Sequence, residues 1–215
     1  FIQTLSSKTE KNAILGLCQD MLNEWKVKYK NIGAIIFLRK DLARDSIEVN
    51  FEQFNTLYNS VELRWSRTEA LRLVVWLVNQ AVPGFYQEEV AVEVASQELI
   101  ERNLTKLWGV KLGKITSNEA YSSRWILAAL SDFNGQLQAR DIIRFLQYAT
   151  EDAGRPIYED RYIMPAEIKK AVPNCSNKKL NEVIQEIAAL KPIFTKLESL
   201  PEEKRILPFH SDTFE

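Results

Sequence analysis

One short stretch restricts this chain more than any other. Ala34 to Leu38 is an unbroken apolar run rich in isoleucine, set in a sequence otherwise patterned on the three-four spacing of helices. Its length, and the Asn31-Ile32-Gly33 break before it, predict a buried strand of the parallel-sheet type. A single strand cannot form a sheet, so the reading requires partner strands from residues elsewhere.

The rest of the pattern is helical. Thr9 to Tyr29 carries Ala13, Ile14, Leu17, Met21, Leu22 and Trp25 on one face. Phe51, Phe54, Leu57 and Tyr58 predict a short amphipathic helix. Ser66 followed by Glu69 is a capping-box pair, and it opens a helix through Leu71, Val74, Val75 and Val78 that stops near Pro83-Gly84. Further helices are predicted over Ser96 to Leu107, Asn118 to Leu130 and Gln138 to Thr150. Asp132-Phe133-Asn134-Gly135 signals a turn, and Gly154-Arg155-Pro156 a linker. Pro165 opens a short helix, a favoured first-turn place for proline. Ser176 is read as the cap of a second helix, Lys178 to Leu190, which Lys191-Pro192 restarts and Leu200-Pro201 ends.

Composition narrows the chemistry. The 46% hydrophobic content is that of a folded domain, and the net charge of -1 argues against a dominant nucleic-acid surface. Cys18 and Cys175, far apart, favour a reducing compartment over a disulfide framework. The longest apolar stretch, Leu71 to Val78, is interrupted by Arg72 and falls short of a membrane span. No signal peptide is evident, so the expected location is the cytoplasm. The first residue is Phe1 rather than Met, which suggests a segment of a longer polypeptide. A lone histidine, His210, leaves metal sites and nucleophilic triads little to rest on. Seven scattered glycines provide no Gly-rich phosphate loop. The carboxylate pairs Glu88-Glu89, Glu159-Asp160 and Glu202-Glu203 read as solvated faces or loops.

Three constellations remain. The run Ile35 to Leu38 leads into Arg39, Lys40 and Asp41, and ligands of open α/β sheets sit at the carboxyl ends of strands. On the residues alone, a surface ion pair or a cap of the next turn is the favoured reading of Arg39 and Asp41. Glu62 to Glu69 carries Trp65, read as a packing anchor, with Arg64 and Arg67, cations suited to acids or phosphate, though an exposed helix start is the plainer reading. Ser131 to Asp141 places Arg140 early in a helix after a Gly-containing turn, where it is either aimed at a ligand or part of a surface charge pattern.

The order of these pieces resembles the stretch downstream of the Walker B strand in bacterial P-loop ATPases of the STAND and AAA-like kind. The pieces are an I-I-F-L-R-x-D run, an L-x-W-S-x-x-E-A-L helix and a W-I-x-x-x-L-S-D-x-N-G-x-x-Q-A-R-D helix. The resemblance covers most of residues 1 to about 200. It implies a mostly α chain: a helical lid-type domain with one or a few parallel strands left from an α/β P-loop core, then a small helical or winged-helix-like module. The implied segments are 1–83 (the end of an ATPase core), 84–154 (the lid) and 155–215 (the small module). Arg39 to Asp41 would correspond to the sensor-1 region. Arg140 would correspond to a sensor-2 arginine, at a longer spacing from Gly135 than the compact motif. The phosphate loop and the magnesium-binding acids would lie upstream of Phe1. ATP and Mg2+ are thus implied for the full-length protein only, and this chain alone would be inactive. Self-association or a protein partner is expected, without a membrane. The alternative is a helical protein-interaction module with no nucleotide chemistry; nucleic-acid binding through Lys169, Lys170, Lys178 and Lys179 is disfavoured by the charge balance.

Overall fold

A computed structural model describes residues 7–21, 24, 27–31, 35–47, 49–132, 135–151, 157–186 and 188–201. The chain is mostly helical and divides into two compact units, Phe1–Leu63 and Arg64–Glu215, where three segments with boundaries at 83 and 154 were expected. The predicted linker, Gly154 to Pro156, lies outside the described residues, as do Leu22, Trp25, Ala34, Asn134 and His210.

The first unit contains α1 (Ser7–Leu15), continued by a π-helical turn over Gly16–Met21, then α2 (Lys40–Ser46) and α3 (Phe51–Tyr58). Ile14, Cys18 and Ile47 form its small core, with Leu15, Leu38, Leu42, Phe51 and Phe54 packed around them. Asn50 opens α3 in the left-handed region, at φ 67°, which asparagine tolerates better than most residues.

The expected buried strand is not found. Residues 35–39 adopt neither helix nor strand, and no strand occurs among the described residues. Ile35 is 86% exposed and Phe37 80%, whereas Leu38 packs on the core. The run fails because burial along it alternates. An all-apolar sequence reads as two buried faces, but only one face here meets protein.

The second unit contains α4 (Arg67–Ala81), α5 (Gln97–Trp108), α6 (Ser122–Leu130), α7 (Ala139–Glu151), α8 (Pro165–Glu186) and α9 (Lys191–Ser199). Its core draws on Leu71 and Val75 of α4, Leu104 and Trp108 of α5, and Ile126 of α6. Phe145 of α7 and Ile168 of α8 complete it. Each large apolar side chain buried in this way stabilises the fold by about 1.5–3 kcal/mol. This core spans residues 70–175, so a boundary at 83 or 154 would cut through it.

Local signals set the helix starts. Ser66 Oγ accepts from the Glu69 N–H at 3.2 Å while a Glu69 carboxylate oxygen accepts from the Ser66 N–H at 2.8 Å, so the capping box is complete. Ser96 caps α5 more simply, its Oγ accepting from the Leu99 N–H at 3.3 Å. Arg72, the interruption in the apolar stretch of α4, donates twice to the Ala95 carbonyl and ties α4 to the start of α5. The expected winged-helix character of residues 155–215 has no counterpart in the described part of that segment, which holds α8, a 3-10 turn over Ala188–Leu190 and α9. The predicted break before Ser176 is absent too: α8 is one helix of 22 residues with Pro173 inside it.

Candidate functional site

The structure joins two of the three sequence constellations. Trp65 and Leu137 form an isolated antiparallel bridge. The chain enters α4 two residues after Trp65 and α7 two residues after Leu137. One backbone contact therefore pins both helix starts, and Arg64, Arg67 and Arg140 all lie within three residues of it. Asp132 and Gln136 pair through both their backbones and the Asp132 carboxylate. Gly135, at φ 71°, completes the turn that leads into α7.

Arg140 lies on the first turn of α7 with its side chain 56% exposed. It donates to Gln138 Oε1 at 3.2 Å and pairs with Glu182 Oε2, also at 3.2 Å. Arg144, one turn on, makes a two-pronged bond to the same Glu182 carboxylate. Those donors, Arg144 first, hold the Glu182 carboxyl below the usual glutamate range, and Glu182 in turn raises Arg144. Asp141 is buried, where a surface charge was one reading, and it accepts from Lys179 Nζ at 2.8 Å. Lys179 also donates to the Leu130 carbonyl at 3.4 Å, so it belongs to this seam and is not a solvated lysine awaiting a partner. Cys175 lies beside the seam; burial, and then the Asp141 charge, push its thiol up to about 11.

Arg39 and Asp41 are brought together, in the first unit. The Arg39 guanidinium donates to both Asp41 oxygens, at 3.1 and 2.6 Å, with both side chains more than half exposed. Arg39 thereby lowers the Asp41 carboxyl below its ordinary value. This is the surface ion-pair alternative. Lys40, the residue between them, pairs with Glu62 at 3.2 Å.

Sequence reasoning missed Arg161. Within the charged run Glu159-Asp160-Arg161 its side chain is only 2% exposed. The guanidinium donates to the carbonyls of Lys111 at 2.8 Å, Gly113 at 3.3 Å and Trp108 at 3.4 Å, and to Asp160, and it stacks 4.4 Å from the Tyr158 ring centroid. It clamps the loop closed by the Lys111–Tyr121 bridge. The one local signal was Gly109, whose φ of 74° and lack of a Cβ make room for the guanidinium.

Among the described residues no three His, Cys, Asp or Glu side chains converge as metal ligands, and no helix is long and apolar enough to cross a membrane. Comparison of the chain with protein-family models, curated proteins and solved structures finds no match.

Proposed function

We propose that this chain is the sensor and helical-lid portion of a nucleotide-dependent switch ATPase of the P-loop class, with Arg140 contacting the nucleotide phosphates. The observation that carries the reading is the Trp65–Leu137 bridge. It gathers the arginines of two separate motifs at the starts of α4 and α7, where helix dipoles also favour an anion. Phosphoryl transfer consists mainly of positioning and charge stabilisation, so a cation from a lid helix is a useful contribution. The phosphate loop and the Mg2+-binding carboxylate must come from residues outside 1–215. Arg39 and Asp41 take the sensor-1 place in this scheme, and the exposed Ile35 and Phe37 suit a segment that meets a sheet supplied by those other residues. The reading places the protein in the cytoplasm.

The test uses the polypeptide that carries the phosphate loop. Arg140→Ala should weaken Mg2+–ADP binding at least tenfold by titration calorimetry with an unchanged circular dichroism spectrum. Unchanged affinity, or a natural polypeptide with no phosphate loop ahead of residue 1, sinks the proposal.

One observation favours a second reading, a protein-interaction module. Leu57, Val61 and Leu63 are 71%, 68% and 82% exposed at the end of the first unit. Apolar side chains concentrated in this way mark protein contacts. Leu57→Glu combined with Leu63→Glu should then abolish self-association in sedimentation, whereas the lid reading expects nucleotide binding to survive.

A further inference from the structure

Helix α8 contains the sequence of two helices. Pro165 opens it, and Val172-Pro173-Asn174-Cys175-Ser176 then reads as an ending followed by a fresh start. Proline has no N–H, so the Lys169 carbonyl loses its helical partner, and the ring crowds that carbonyl. Asn174 and Ser176 are both residue types that cap a new helix. The two halves are also held differently. Ile168 and Ala171 fix the first half in the apolar core. Among the described residues none beyond Cys175 is buried. The second half is instead held by charge: Lys179 on Asp141, and Glu182 on Arg144 and Arg140.

We propose that α8 is a hinged helix, jointed at Pro173 to Ser176, whose outer half and α9 form an arm latched onto α7 by these ion pairs. The joint opens while α6 and α7, the helices that pack on α8, stay folded, because among the described residues no side chain of the arm is fully buried. Cys175 lies in the joint and is 4% exposed, so its thiol is reachable only when the joint opens. The proposal goes beyond the nucleotide reading and does not depend on it.

The experiment is hydrogen exchange resolved to segments, with site-resolved alkylation of Cys175 by iodoacetamide, on the 215-residue chain. Residues 177–186 should exchange at least tenfold faster than 166–172. Raising KCl from 50 mM to 1 M should speed Cys175 alkylation about twofold, because the partly buried latch is screened less than an exposed pair but not fully shielded. Arg144→Gln should speed it severalfold in low salt. Pro173→Ala restores a helical hydrogen bond and should slow alkylation at least tenfold, since an interior proline disfavours helix on the order of a hundredfold. The salt series needs no variant, so a misfolded Arg144→Gln does not remove the test. Exchange of both halves at one common rate, alkylation insensitive to salt, or an unchanged rate in Pro173→Ala would each overturn the hinge.

Discussion

Replacing Arg161 with methionine should be among the costliest single changes in the second unit. Exchanging a buried ion pair for a hydrophobe of similar size is often neutral, because both charges leave together. Here the acceptors are mainly backbone carbonyls, which stay. The Trp108 carbonyl keeps a bond from Ser122 Oγ at 3.1 Å. The carbonyls of Lys111 and Gly113 lose the guanidinium bonds they accept at 2.8 and 3.3 Å. A buried acceptor left without a donor costs about 1–3 kcal/mol. The lost stacking on Tyr158 adds about 1 kcal/mol. Relief from burying a charge offsets part of this, leaving a net loss of about 3 kcal/mol. With a urea m-value of about 2 kcal/mol/M, the midpoint should fall by roughly 1.5 M. Trp108, in the core beside the clamp, supplies the fluorescence signal. Asp160→Ala should cost less than Arg161→Met, because the guanidinium keeps its carbonyl acceptors when the exposed carboxylate is removed. A loss below about 1 kcal/mol in Arg161→Met, or equal losses in the two variants, would refute the carbonyl-clamp account.

Gly109→Ala should reproduce much of this loss, since a Cβ there would lie 2.2 Å from the Arg161 guanidinium carbon and the backbone, at φ 74° and ψ 166°, is in a region nearly restricted to glycine. In an Arg161→Met background its cost should shrink to the backbone strain alone, about 1–3 kcal/mol, and a double-mutant cycle by urea unfolding measures the difference. Glu182 gives a pH signature: its folded carboxyl lies below the ordinary 4.5, so its contribution is fully present above pH 4.5 and is lost as the pH falls through the folded value. Hydrogen exchange of residues 177–186 should therefore accelerate below pH 4.5 beyond its intrinsic trend, and Glu182→Gln should remove that excess.

What the sequence discloses depends on how local the deciding interaction is. The capping box of Ser66 and Glu69 involves four consecutive residues and is found as expected. The starts of α5 and α7 fall within a residue of expectation, because three-four apolar spacing fixes a helix face without reference to its neighbours. Arg161 was illegible because its acceptors lie some 50 residues away, and a charged run ordinarily faces water. The Ile35 to Leu38 run misled because pattern alone does not say how many faces of an extended segment will be covered. The cap read at Ser176 is correct as propensity, but the helix runs through it, with Cys175 packed in the core and Lys179 paired to Asp141 beyond it. The candidate site was legible as motifs but not as a place: nothing in Trp65 or Leu137 announces that they meet.

The two arginines of α7 are not equivalent, and the difference decides which suits a phosphate in the proposed lid. Arg144 is mostly buried, bonds Glu182 through both nitrogens and lies 3.8 Å from the buried Asp141. Withdrawing it would leave two carboxylates with diminished compensation. Arg140 is half exposed and has a single contact with Glu182, of a kind worth at most about 1 kcal/mol. A charge-assisted bond to phosphate contributes about 1.5–3 kcal/mol, so exchanging Glu182 for phosphate is favourable at Arg140 and unfavourable at Arg144. Glu182 stays on Arg144 throughout such an exchange. Phosphate capture and the α8 latch are therefore largely separable: Arg140→Ala should weaken the first at least tenfold and speed Cys175 alkylation only slightly, and Arg144→Gln should speed alkylation severalfold with little effect on capture.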